Sequence, residues 1–253
     1  MDFEHVKAVF EEYLNGYDRE NDKVKLKIVH TYSVIRCSEE IGRRMGLQAE
    51  DMELAKLIAL LHDIGRFEQL KRFNSFEADT MDHATYGVQV LFEEGMIRQF
   101  IEEDTWDDVI RTAIAKHSDY ELTGITDERT LLHARLIRDA DKLDNCRVKL
   151  EDAMETLLDL SADEVGKYAI SPKVREDAFA GKCICSKDRR TPMDYWVSYV
   201  AYFYDLNFRE TLDIVAEEQY VKRIIGRVPY TNEQTKKTME ELERQLTEYV
   251  RRK

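Results

Sequence analysis

Apolar residues recur along this chain at spacings of three and four, the pattern of helices that bury one face. Residues 3–14 carry Phe3, Val6, Phe10 and Leu14 on one stripe, ended by Asn15-Gly16. After a polar turn at 18–22, a second helix runs from about Asp22 to Arg44, with Gly46 past its end. Its line Val34, Cys37, Ile41 continues back to His30 and turns that histidine inward. The stretch Leu54-Ala-Lys-Leu-Ile-Ala-Leu-Leu-His-Asp-Ile-Gly-Arg-Phe67 opens as an almost wholly apolar run and predicts a buried helix ending at His62-Asp63. Glu50 and Asp51 suit the start of that helix.

Residues 66–80 lack periodicity and read as a loop carrying Arg66, Lys71, Arg72 and Asn74. A fourth helix, roughly Thr80 to Gly95, puts His83, Gly87 and Val90 on one face. A fifth opens with Asp104-Thr-Trp-Asp107 as its cap and carries Trp106, Ile110, Ala113, Ile114 and His117 on its apolar side. Beyond a polar loop at 118–128, a sixth begins near Arg129. Its apolar positions Leu132, Leu136, Ile137, Ala140 and Leu143 bracket Asp141, which the spacing sends inward with Ile137; Asp139 points elsewhere and Asp144 is borderline.

Residues 145–160 read as helical, 161–172 as irregular and 181–191 as a flexible excursion. The aromatic run from Tyr195 to Tyr204 reads as a core helix with polar handles. Thr231-Asn-Glu-Gln234 has the form of a capping box, and Met239, Leu242, Leu246 and Val250 stripe a terminal helix. That helix packs either on the domain or on a second subunit, so a homodimer is one expectation. With no internal repeat and no convincing boundary, the reading is one all-α domain over 1–253: a core of about 20–150 and a C-terminal helical extension of about 151–253.

Composition supports the helices. Three prolines and ten glycines leave little room for the turns of an all-β fold. The net charge of −13 argues against a nucleic-acid duplex or an anionic membrane as partner, though not against a small basic pocket. No apolar run approaches the ~20 residues that span a bilayer, and Met1-Asp-Phe-Glu-His5 opens unlike a signal peptide. Cys37 is expected to be buried, and the tight Cys183-Ile-Cys185 pair lacks the companions a zinc site needs. A reduced, cytoplasmic chain is the expectation.

Four of the six histidines, His30, His62, His83 and His117, fall on apolar faces of successive helices; His5 and His133 fit surface or edge positions. Each inward histidine alone reads as well as a hydrogen-bonded core residue. Together with inward Asp63 and Asp141 they have a common explanation in a divalent metal, since neutral imidazole and ionised carboxylate are both good ligands.

His30, then His62-Asp63 in Leu61-His-Asp-Ile-Gly65, then Asp141 in Asp139-Ala-Asp-Lys-Leu143, resembles the HD superfamily of metal-dependent phosphohydrolases. The resemblance covers about residues 20–150, and the motifs are specific as a set. It implies an all-α bundle with the metal at its centre, and His30, His62, Asp63 and Asp141 as ligands of a first ion. His83 and His117 match the added histidines of the two-metal subset, in which the shared aspartate, here Asp63, bridges the ions. The Gly-Tyr-Pro signature of the cyclic-di-nucleotide-degrading branch is missing, and Ser118-Asp119 stand where that branch has glutamate. The chain looks most like small stand-alone bacterial HD proteins.

The expected activity is therefore hydrolysis of a small phosphorylated molecule, a nucleotide first, by a metal-activated water. His62 and Asp63 are the expected catalytic residues. Arg66, Arg72, Lys116 and Lys142 are candidates to hold phosphate oxygens. Mixed oxygen and nitrogen ligands suit one or two ions of Mn, Fe, Co, Ni or Mg. Two rival readings share the ligands: an HD-fold di-iron oxygenase, and a non-catalytic module in which the metal is structural.

Overall fold

The computed structural model describes residues 1–77 and 79–252, and among them every regular element is helical. The chain divides into two compact units, Met1–Asp144 and Asn145–Lys253. No helix of the described residues is long and apolar enough to cross a membrane.

The first unit opens with α1 (Phe3–Leu14), whose Val6, Phe10 and Leu14 are fully buried. In α2 (Asp22–Met45) the Asn21 side chain accepts from the amides of Lys23 and Val24, and Gly46 ends the helix in the left-handed region at φ 72°. Helix α3 (Ala49–Leu61) packs along α2 and is buried nearly continuously from Leu54 to Leu61. His62 ends it, Asp63 leaves helical geometry at φ −106° and ψ 18°, and α4 (Ile64–Phe73) starts at once. The chain thus bends at the His-Asp pair with no intervening loop.

The loop expected over 66–80 is therefore confined to its second half. Ile64, Phe67 and Leu70 repeat every three residues and are buried, enough apolar spacing to hold a helix through Phe73. Helix α5 (His83–Val88) begins later than expected, capped by Asp82, and runs into a π-helical turn over Gln89–Glu93. A short α6 (Ile97–Phe100) precedes α7 (Asp107–Lys116). The Asp104 carboxylate does not cap α7: Trp106 is its N-cap and makes no side-chain capping bond.

Helix α8 (Glu128–Glu151) is continuous where two helical pieces were expected, and crosses from the first unit into the second. Within the first unit it is tied to the start of α3, since Arg129 donates to Asp51 at 2.7 Å and His133 Nε2 to the same oxygen at 3.0 Å. His133 is buried, not a surface or edge residue, and Asp139 is also buried. Cys37 is only half-buried, because the buried stripe of α2 passes through Ser38 and Ile41 beside it.

In the second unit, α9 (Met154–Leu158), α10 (Ala162–Val165), α11 (Pro172–Phe179), α12 (Pro192–Ala201), α13 (Arg209–Glu217) and α14 (Tyr220–Ile225) precede α15 (Glu233–Arg252). The segment expected to be irregular contains α10, opened by a reciprocal Ser161–Glu164 capping box. The cap of α15 is Asn232, whose side chain accepts from Thr235 N at 3.0 Å; Thr231 lies against the Gly166 carbonyl. The stripe Met239, Leu242, Leu246 and Val250 is buried in its own unit, where α15 packs on α11, α13 and α14. Trp196 and Phe203 are buried, and Tyr204 takes a hydrogen bond from Gln245 at 2.7 Å.

Candidate metal centre

The bend after α3 aims His62 and Asp63 toward the faces of α2, α5, α7 and α8 that carry the other inward ligand candidates. Two groups of side chains result, each close enough to hold a metal ion: His30, His62 and Asp141, and Asp63, His83 and His117. Asp63 joins them. Its Oδ2 lies 3.3 Å from His62 Nε2 and 3.9 Å from His30 Nε2. Its Oδ1 lies 3.2 Å from His83 Nε2 and 3.6 Å from His117 Nε2. All six residues expected from the sequence are thus brought together.

Imidazole tautomers in this cluster are set by bonds on its outer side. His62 Nδ1 donates to the Ala59 carbonyl at 2.8 Å, and His117 Nδ1 to Ile114 at 2.7 Å. His30 Nδ1 donates to Asp144 Oδ2 at 2.7 Å. In each neutral ring the Nε2 lone pair is then left facing inward. The consequences are those of a cation site. His62 Nε2 is buried without a hydrogen-bond partner, 3.8 Å from Asp141 Oδ1. His83 Nε2 and His117 Nε2 face each other at 3.1 Å. His30 Nε2 meets Asp141 Oδ1 at 3.0 Å. Imidazole nitrogens and carboxylate oxygens that converge in this way are the ligand types a divalent metal takes, so the donor set fits one.

Burial opposes charge on His62, yet Asp63 and then Asp141 raise its pKa. Burial favours the neutral form of Asp63, but Lys27 and His62 hold its carboxyl well below the usual range. Asp141 is also lowered, against its burial, by the close approach of His30 and by the charges of His62 and Lys27 around it. His83 is pushed down to about 3 by burial and then by Arg66, which keeps it a neutral donor.

The basic candidates divide. Arg66 reaches the centre: its Nη2 donates to His83 Nε2 at 2.9 Å, and its Nε lies 3.8 Å from Asp63 Oδ1. Its Nη1 donates to Gln69 Oε1, and the Gln69 amide donates to Glu77 O and Thr80 Oγ1, both at 2.8 Å. Arg72 instead pairs with Glu68 at 2.7 Å and stacks over Tyr86, on the surface. Lys116 pairs with Asp119 at 3.4 Å, and Lys142 is half-buried beside Asp141 on α8.

Two participants, Lys27 and Arg138, escaped sequence reasoning, and a third, Asp144, was left borderline. Lys27 is buried on α2 and ion-paired to Asp63 Oδ2. Asp144 is buried behind His30. Arg138 is buried and donates to the carbonyls of Lys116 and His117 at the end of α7. For Asp144 a signal existed: it lies three residues, nearly one turn, from the ligand candidate Asp141.

Comparison with protein-family models finds the HD domain over residues 28–146, a span that holds all six inward residues. Residues 28–146 form an HD domain. No curated protein and no solved structure matches the chain. HD-superfamily proteins are in general metal-dependent phosphohydrolases, and HD domains bind divalent metals. The HD motif itself carries a packing demand just past its aspartate. A Cβ on Gly65 would land on the His83 carbonyl oxygen and 2.7 Å from Gly87 N, so only glycine lets α4 and α5 approach closely enough to bring His83 to Asp63.

Proposed function

We propose that this HD domain is a metal-dependent hydrolase of a small phosphorylated molecule. Two divalent ions would sit there, one held by His30, His62, Asp63 and Asp141, the other by Asp63, His83 and His117. The observation that carries the reading is the division of Asp63: one carboxylate oxygen faces each group of histidines. Divalent ions in such a setting bring the pKa of water toward neutrality and polarise phosphoryl oxygens.

The protein's own groups supply the rest. Asp63 orients the attacking water, since its depressed pKa keeps it an ionised hydrogen-bond acceptor. His62 and His30 are held as inward donors by the Ala59 carbonyl and by Asp144. Arg66, steadied by Gln69, presents a planar guanidinium at the edge of the cluster, a geometry suited to phosphate oxygens. Lys142 and Lys116 stand further out as secondary candidates. The ordinary charge of such a substrate is anionic, which suits a cluster whose protein cations face inward.

Elemental analysis of protein purified without added metal, wild type beside His83→Ala, tests the site; about two ions per chain falling to about one is expected. A phosphoester panel beginning with nucleoside monophosphates, assayed with Mn under anaerobic conditions, tests the chemistry. Turnover there excludes an oxygenase. Tightly bound iron with oxygen uptake and no phosphate release would replace the hydrolase reading by the oxygenase.

A further inference from the structure

Lys27 is the one charged residue of the cluster that the proposed ligand set leaves without a task. A lysine is rarely buried unless paired, and only 8% of Lys27 is exposed. It lies one turn before His30 on α2, so the two share the buried face of that helix. Its ammonium is paired with Asp63 Oδ2, the oxygen that also faces His62 and His30. On the other side, Arg66 approaches His83 Nε2 and Asp63 Oδ1. Each group of metal-ligand candidates therefore has a fixed protein cation at close range.

Two positive charges on one carboxylate oxygen oppose each other, and the low dielectric of a buried site enlarges the effect. A divalent ion shared by Asp63 Oδ2 works against the Lys27 ammonium. The carboxylates at hand, Asp63, Asp141 and Asp144, are already partly offset by Lys27 and Arg66, so divalent ions leave the centre positive. An anion with two charges, drawn to both the ion and the ammonium, removes the opposition. We infer that Lys27 couples the two binding events: it weakens the hold on a divalent cation alone and strengthens it when a phosphate dianion binds beside it. Coupling of this kind is reciprocal, so the cation raises phosphate affinity by the same factor. Lys27 would then act against occupation of the site by metal without substrate, and in favour of phosphate monoesters, which carry two charges, over singly charged diesters.

The inference rests on the reading of the cluster as a metal site, and its test does not use turnover. Mn2+ affinity is measured by calorimetry or by the EPR signal of free Mn2+, with inorganic phosphate and with chloride at matched ionic strength. For wild type, phosphate should tighten Mn2+ binding about tenfold or more, within the usual range of coupling between sites. Lys27→Met should bind Mn2+ alone more tightly than wild type and lose most of the phosphate-induced gain, while Lys27→Arg, which keeps the charge, should retain it. A merely structural Lys27 would leave the gain unchanged in folded Lys27→Met, and that result overturns the inference. So does a wild-type affinity that phosphate does not alter, which needs no variant to fold. Coupling without cleavage of any phosphoester would overturn the hydrolase proposal and leave the role of Lys27 standing; cleavage without coupling would do the reverse. No Mn2+ binding at all removes both.

Discussion

His30 donates its Nδ1 proton to Asp144 Oδ2 at 2.7 Å, and that bond fixes which nitrogen faces the cluster. Carboxylates behind metal-binding histidines orient the ring and raise its basicity, and their loss commonly costs 10–100-fold in metal affinity. Asp144→Asn should therefore weaken the group formed by His30, His62 and Asp141 by about that factor. Chelator competition with Mn2+ measures it. Unchanged affinity in the folded variant would mean that His30 is oriented by packing alone.

Gly65 makes a different prediction, because it acts on the other group. A methyl group there meets backbone, not a flexible side chain, so α5 must move and His83 with it. Gly65→Ala should cost about 1–3 kcal/mol from overpacking. In elemental analysis its metal content should resemble that of His83→Ala. Wild-type metal content and wild-type Tm together would show that the α4–α5 approach tolerates a side chain.

How far the sequence alone reached can be judged at such positions. Helix periodicity turned His30, His62, His83, His117 and Asp141 inward, and the structure brings all of them to Asp63. The stripe rule works because one face of a helix is buried whatever the details of its neighbours. It was not carried through at His133, which lies three and four residues before Leu136 and Ile137, on the apolar stripe of α8, and is buried against Asp51 of α3; Asp139 is buried as well. It also failed for α4, because Arg66, Gln69 and Arg72 obscured a short apolar spacing of three. Lys27 and Arg138 were illegible for a plainer reason. A long basic side chain on a helix is usually solvated, and only the tertiary partner, Asp63 or the end of α7, reveals that it is not.

The buried His133 gives the fold a pH dependence of its own. Burial lowers its pKa below 6.5, and its Nδ1 has no hydrogen-bond partner, so a second ring proton would be buried unpaired. The unfolded chain therefore takes up a proton as pH falls below 6.5 while the folded chain resists it, and stability drops with pH. The slope is at most about 1.4 kcal/mol per pH unit for one such group. Asp51 adds to this at lower pH: its carboxyl is depressed by His133 and Arg129 against the effect of burial. Its contribution is present above the ordinary value of 3.8 and is lost as pH falls through the folded value. Urea unfolding at pH 7 and pH 5 should show wild type losing more stability than His133→Gln, which keeps a donor for Asp51 but does not titrate. Equal losses would assign the dependence to the histidines of the metal centre instead.

Arg138 joins the stability of α7 to the place of His117. The helix ends at Lys116 with His117 as its C-cap, and the carbonyls of both residues accept from Arg138 Nη1, at 3.1 and 3.2 Å. A guanidinium also suits the negative end of a helix dipole. Without it, carbonyls at a buried helix end lose their partner, each at a cost of about 1–3 kcal/mol. Arg138→Met preserves much of the buried volume, so its loss of stability in urea should report mainly those carbonyls. Arg138→Lys, which keeps the charge but not the planar fork, should recover only part of it. Because His117 rides on the same helix end, a folded Arg138→Met protein should also hold Mn2+ less tightly in the group of Asp63, His83 and His117. A variant with lowered stability but wild-type Mn2+ binding would separate the two effects and leave Arg138 as a helix cap with no bearing on the site.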